Sequence, residues 1–269
     1  GARVEEALRV PDKELWQKRM ETPTILFDRM LAPLVPFGIK GAIWYQGESG
    51  AGLDLPYGKL FQIMIQDWRK QWQLGDFPFY FVQVGNWATC EGQASALQLP
   101  NTGMAVINDI SDTIHPPKKV AIGQRLARLA LVQTYGRKVE STGPLFESAK
   151  VQGSSIRIRF THAGDGLVIR DGPPMKYFTI AGDDKRFLVA DVRIDGDTVV
   201  VSNPQVPQPL AVRYAWTGSS YLNFKEAILL NKAGLPAAPF RTDDWPLEEK
   251  GTVHEVAGSD RSAAGESEK

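Results

Sequence analysis

Three apolar runs constrain this chain more tightly than any other feature: Lys40 to Tyr45, Phe77 to Val84 and Met104 to Ile107. None shows the alternation of a strand with one wet face. Each therefore reads as a strand covered on both sides, the condition met in a parallel sheet flanked by helices. Between the first two runs, Leu60, Phe61, Met64, Ile65, Trp68 and Trp72 share one helical stripe, while Asp67, Arg69 and Lys70 lie off it, which makes a strand-helix-strand unit. Pro116-Pro117 can open a further helix whose stripe includes Ile122, Leu126 and Leu129 and which ends near Gly136. Another helix is expected from about Pro23 to Leu34, ended by Pro36 and Gly38.

The pattern changes near residue 138. Ser155 to Phe160 alternates apolar and polar residues as a half-exposed strand requires. Gly164-Asp165-Gly166, Asp171-Gly172-Pro173 and Asp195-Gly196-Asp197 punctuate the strand candidates, the last leading into Thr198 to Val201. A small antiparallel β-sandwich is the natural reading. From about Leu247 the chain turns small and polar, a composition that cannot bury enough apolar surface to order itself. The expected organisation is an α/β part over residues 1–137, a β-rich, sandwich-like part over 138–245 and a disordered tail over 246–269.

Charge and cysteine content narrow the function classes. Lysine plus arginine balance aspartate plus glutamate at 31 each, so there is no electrostatic case for nucleic acid or a membrane surface. The apolar runs are of strand length, too short for a transmembrane helix. Cys90 is the sole cysteine, which excludes an internal disulfide without fixing the compartment. The chain opens at Gly1 without Met or a signal peptide, as a processed or truncated product would.

In an open parallel sheet, ligands bind at the carboxyl ends of the strands. The notable polar residues lie there: Gln46 and Glu48 after the first run, Gln83 and Asn86 after the second, and Asn108, Asp109, Asp112 and His115 after the third. His115 can take a proton near neutral pH, and the helix start beside it disfavours its charged form. Asp112, three residues before it, can orient the imidazole and stabilise the imidazolium. Gln46 can donate an amide hydrogen to an oxyanion, and Glu48 can accept backbone hydrogen bonds that hold the loop. The structural alternatives are a helix-capping Asp112 with a packed His115, and a polar turn around Gly47.

Other chemistries fit less well. Gly47-Glu48-Ser49-Gly50-Ala51 approaches the G-x-S-x-G nucleophile elbow, but its fifth position is Ala and no helix begins at the serine. Asp109, Asp112 and His115 could be imagined around a metal, yet the chain has three histidines and no strong ligand spacing. Cys90, read as lying in a loop after Trp87, lacks a histidine partner in sequence and reads as an incidental thiol. His162 and His254 fall in the β-rich part and the tail and read as structural or solvated.

Several stretches together resemble the sialate O-acetylesterases, within the wider SGNH-type esterases. These are Thr22-Pro23-Thr24, Ala32-Pro33-Leu34, Lys40 to Ser49, Leu99 to Val106, Asp112 to Pro116, Phe178 to Gly182, Val212-Arg213-Tyr214 and Ala238 to Asp243. The collinear match runs over most of residues 20–245. The resemblance implies a partial flavodoxin-like, three-layer SGNH hydrolase domain, followed by a β-rich accessory domain. It also implies hydrolysis of O-acetyl esters on sugars, O-acetylated sialic acid among them, without a metal or organic cofactor, in a periplasmic or secreted protein. His115 would be the base, Asp112 its orienting acid, Gln46 an oxyanion-hole donor and Glu48 a support. The family's nucleophile lies in a Gly-Gln-Ser-Asn motif upstream of these stretches, and these 269 residues contain no such motif. The expectation is therefore a carboxyl-terminal portion that needs an amino-terminal part of the same protein and that, alone, hydrolyses little. The segment Trp87 to Gln93 looks shorter than the family loop, and Trp216 to Asn223 lacks the family's Asn-rich pattern. A non-catalytic carbohydrate-binding or interaction fragment is the alternative.

Overall fold

The computed structural model describes residues 24–35, 37–48, 56–110, 116, 118–170, 172, 175, 177–216 and 228–246. The three apolar runs become β1 (Ala42–Trp44), β2 (Phe79–Gln83) and β3 (Thr102–Val106), a parallel sheet in the order β1-β2-β3. β2 is buried along its whole length, and the two-residue period of a strand divides its side chains between two cores. Phe79 and Phe81 join Phe61 and Ile65 of α1 (Tyr57–Trp72), together with Met104 and Val106 of β3. Tyr80 and Val82 join Ile122, Leu126 and Leu129 of α3 (Lys119–Gln133). The result is a helix-sheet-helix stack. Fully burying one such apolar side chain contributes roughly 1.5–3 kcal/mol, which explains why β2 and β3 show no alternation. β1 departs from the expectation of cover on both faces, since its Ile43 is largely exposed.

One expectation is corrected here. Trp87 and Cys90 were expected in a loop, but they lie in a helix, α2 (Trp87–Ser95). Its start is fixed by Asn86, whose Oδ1 accepts a hydrogen bond from Thr89 N at 3.1 Å, an N-cap interaction. Its apolar stripe is weak because the helix seats through small residues instead. A Cβ built on Gly58 of α1 would come within 2.7 Å of the Gly92 Cα. Without side chains at that crossing the two backbones approach closely. The helix expected near Pro23–Leu34 is irregular where it is described, a π turn (Phe27–Leu31) followed by a 3-10 turn (Ala32–Leu34).

The rest is antiparallel. One sheet has the order β4-β5-β10-β9 and a second β13-β11-β7-β8. The first comprises β4 (Leu145–Gln152), β5 (Ser155–Thr161), β10 (Thr198–Ser202) and β9 (Asp191–Asp195). The second comprises β13 (Phe240–Arg241), β11 (Ala211–Tyr214), β7 (Phe178–Ala181) and β8 (Leu188–Val189). Their inner residues share one core, with Ile156, Ile158, Phe160, Val199 and Val201 from the first and Phe178, Ile180, Val212, Tyr214 and Phe240 from the second. β6 (Leu167–Ile169) and β12 (Leu229–Asn231) form a separate two-stranded ribbon. The parallel and antiparallel regions interlock, since Cys90 of α2 sits in the antiparallel core and Ala238 in the core under α1. No described helix is long and apolar enough to cross a membrane.

Candidate active site

The loop that leaves β1 is held by two side chains from the helices beside it. Gln93 of α2, fully buried, donates from Nε2 to the Gln46 carbonyl at 3.1 Å, and its Oε1 accepts from Val84 N at 2.8 Å. The loop after β1 is thereby tied to the end of β2. From α1, the Tyr57 hydroxyl donates to the Gln46 carbonyl at 3.1 Å and lies 3.4 Å from Gln46 Oε1. Gln46 itself is exposed, and among the described residues its Nε2 has no partner. This arrangement leaves an N–H donor facing out from a fixed backbone. Gly47 is needed at its position, because a Cβ there would lie 2.6 Å from Gln93 Nε2 and 3.0 Å from Val84 Cγ2. Glu48 turns back on the loop, its Oε2 accepting from Gly47 N at 3.0 Å.

Electrostatics keep the tether in its donor form. Burial, with the Glu48 charge adding to it, raises the Tyr57 phenol above its ordinary range. Burial followed by the Glu48 charge also raises Tyr45. At the end of β2, Gln83 donates from Nε2 to the Cys90 carbonyl at 3.0 Å. Its Oε1 is buried and has no partner among the described residues. Burial pushes the Cys90 thiol up to about 12, so it is an inert packing residue and no nucleophile.

Beyond β3, Asn108 donates from Nδ2 to the Ala237 carbonyl at 3.0 Å, while its buried Oδ1 is also without a partner among the described residues. Asp109 is 4% exposed at its side chain and receives both faces of an arginine pair. Arg125 of α3 donates to Oδ1 at 2.6 Å and to Oδ2 at 2.8 Å, and Arg170 donates to Oδ2 at 2.8 Å. Burial raises the Asp109 carboxyl, but the hydrogen bonds and charges of Arg125 and Arg170 outweigh it and hold the group below the usual carboxylate range. Both oxygens are thus committed to guanidinium groups, which argues against Asp109 as a metal ligand. Among the described residues no cluster of three or more His, Cys, Asp or Glu could hold a metal.

Asp112, His115 and Ser49 lie outside the described residues. Of the expected site residues, Gln46 and Glu48 are therefore the two whose surroundings are defined, and they share one tethered loop. His162 is exposed, and its carbonyl accepts from Asn231 Nδ2 at 3.2 Å, a structural role. Sequence reasoning missed Gln93, Tyr57, Arg125 and Arg170. Gln93 carries no motif, and the one available signal was its place one helix away from a glycine-containing loop.

With the geometry in place, comparison with known proteins gives first a class. Residues 12–132 match the family model described as carbohydrate esterase, sialic acid-specific acetylesterase. The fold is similar to that of a solved structure of a carbohydrate acetylesterase from Xanthomonas citri, with a TM-score of 0.77 and 38% identity over 83% of this chain and 55% of that one. More particularly, the chain is similar to sialate O-acetylesterases. It is 28% identical to that of Mus musculus over 260 residues, covering 82% of this chain and 48% of the relative. To that of Homo sapiens it is 27% identical over 254 residues, covering 81% and 48%. The chain spans about half the length of the curated relatives it matches. The resemblance read from the sequence is therefore shown by sequence and by fold, and the architecture is an α/β fold with mixed sheets like that of a carbohydrate acetylesterase.

Proposed function

We propose that this chain supplies the base, its orienting acid and one oxyanion donor to a serine esterase that removes O-acetyl groups from sugars, O-acetylated sialic acid being the substrate the relatives suggest. The observation that carries the reading is the tethered Gln46 loop at the carboxyl end of β1, two strands away from the stretch that leads toward Asp112 and His115. The similarity to sialate O-acetylesterases supports the same chemistry.

The nucleophile comes from an upstream segment bearing the Gly-Gln-Ser-Asn motif. β1 supports this, since among the described residues it is an edge strand and its Ile43 is 71% exposed, as if a further parallel strand and its helix belonged beside it. In the reaction, the serine oxygen attacks the acetyl carbonyl while His115 takes the serine proton. Gln46 Nε2 donates to the oxyanion. The intermediate collapses, and His115 returns the proton to the departing sugar oxygen. Water then attacks the acetyl-enzyme with His115 again as base, releasing acetate and restoring the serine.

The test is acetate release from an O-acetylated sialic acid by the protein carrying its upstream segment. His115→Ala should abolish turnover, and Gln46→Ala should lower kcat by about 100- to 1000-fold. Undiminished activity in His115→Ala would sink the proposal.

A further inference from the structure

The ribbon of β6 and β12 is the smallest sheet among the described residues, yet it makes a charged contact with the region beyond β3. Arg170 directly follows β6, and its backbone N–H donates to Ile228 O at 3.0 Å. Ala237 is tied to β12 through its N–H to Leu229 O at 2.9 Å. The ribbon is in turn fixed to the antiparallel core, because Leu229 N donates to the buried Tyr214 hydroxyl at 3.1 Å. From this base the Arg170 guanidinium reaches Asp109 and the Ala237 carbonyl receives Asn108. Two successive residues past β3 are thus gripped by one rigid piece of the antiparallel region.

The grip has a second jaw. Arg125 stands on α3, the helix that follows residue 115, and it reaches back across 16 positions to the same carboxylate. It also donates to the Val106 carbonyl at the end of β3, at 2.5 Å. Asp109 therefore joins the strand that enters the stretch, the helix that leaves it and the ribbon beside it. Pro116, at the exit, is buried. A carboxylate with 4% of its side chain exposed and three charge-assisted donors is fixed far more firmly than a surface pair.

We propose that Arg170 and Asp109 are positioning residues for the base, and that the β6–β12 ribbon is a working part of the active site rather than a separate sugar-binding attachment. This rests on the reading of His115 as base. The antiparallel region then contributes to kcat without touching substrate, by setting where the chain starts out toward Asp112 and His115.

The chain contains three histidines, so the imidazole signals of a histidine-labelled sample can be resolved and His115 assigned with His115→Gln. Arg170→Met should shift the His115 imidazole resonances and leave those of His254 in place. In the protein carrying the upstream segment it should lower kcat by about 10- to 100-fold with KM little changed, the scale expected when a catalytic group is misplaced by about 1 Å. Arg170→Lys, which keeps a cation at the position, should recover part of the loss and serves as the test if Arg170→Met does not fold. Unmoved His115 resonances together with wild-type kcat in either folded variant would overturn the proposal. If His115→Ala retained full activity while Arg170→Met still shifted His115, the reading of His115 as base would fail and the mechanical link would stand.

Discussion

The loop after β1 and the stretch after β3 leave the same edge of the same sheet, but they are held by opposite kinds of chemistry. At the first, uncharged groups do the work: the Gln93 amide and the Tyr57 hydroxyl converge on the Gln46 backbone, and both come from the helices of the parallel region. At the second, a buried carboxylate is held by two arginines, one of them from the antiparallel region. A neutral tether costs little to desolvate and is insensitive to pH. A buried ion cluster is costly to desolvate, so its partners are strong only while all remain present. The difference divides the edge into a part the parallel layers can build alone and a part that needs the rest of the chain.

Removing one member of each tether should separate the two most clearly. Asp109→Ala leaves Arg125 and Arg170 facing each other without an anion, and should cost about 3–5 kcal/mol in urea unfolding, the range for breaking a buried pair from one side. Gln93→Leu orphans the Val84 N–H and releases the Gln46 carbonyl from one of its two donors, at about 1–3 kcal/mol. If the two losses were equal, the contrast between charged and neutral tethers would collapse.

Acid gives the next largest contrast. The folded Asp109 carboxyl sits below its unfolded range because of Arg125 and Arg170. Its contribution to stability is therefore fully present above the unfolded carboxylate pKa, about 4, and is lost as pH falls through the lower folded value. The wild-type protein should lose more stability than Asp109→Asn between about pH 5 and pH 2. Gln93→Leu, whose tether does not titrate, should track the wild type in slope, and urea unfolding across that range checks both.

The two tethers also differ in how readable they were. The parallel sheet was evident because β2 is buried on both faces and its sequence, Phe79 to Gln83, shows no alternation. The β1 loop stood out through Gln46 and Glu48, the latter accepting from Gly47 N. Its true anchor, Gln93, was hidden: α2 carries almost no apolar stripe and packs through Gly92, so neither the helix nor its inward-facing glutamine announced itself. Arg170 was illegible for another reason. It meets Asp109 across 61 positions, and no local pattern encodes a contact between separate sheets. Asp109 itself was noticed as a polar residue at the right edge, but its arginine partners, and hence its unsuitability as a metal ligand, are tertiary facts.

The smallest effect expected is local opening, and Cys90 reports it. The thiol is 3% exposed, its pKa is pushed up to about 12, and it lies on α2 three residues before Gln93. In the native protein near pH 8 a disulfide reagent should therefore label it slowly, because reaction needs both exposure and the thiolate. Loss of the Gln93 tether loosens the helix that carries Cys90 directly, whereas Arg170→Lys keeps a cation beside Asp109 and leaves the core that Cys90 shares with β6 and β12 intact. Gln93→Leu should accordingly raise the labelling rate several-fold under conditions where Arg170→Lys leaves it unchanged, since local opening follows the contacts that are lost. Equal acceleration in both variants would mean that the whole sheet edge opens as one unit, and that the neutral and charged tethers, although chemically distinct, hold a single cooperative element.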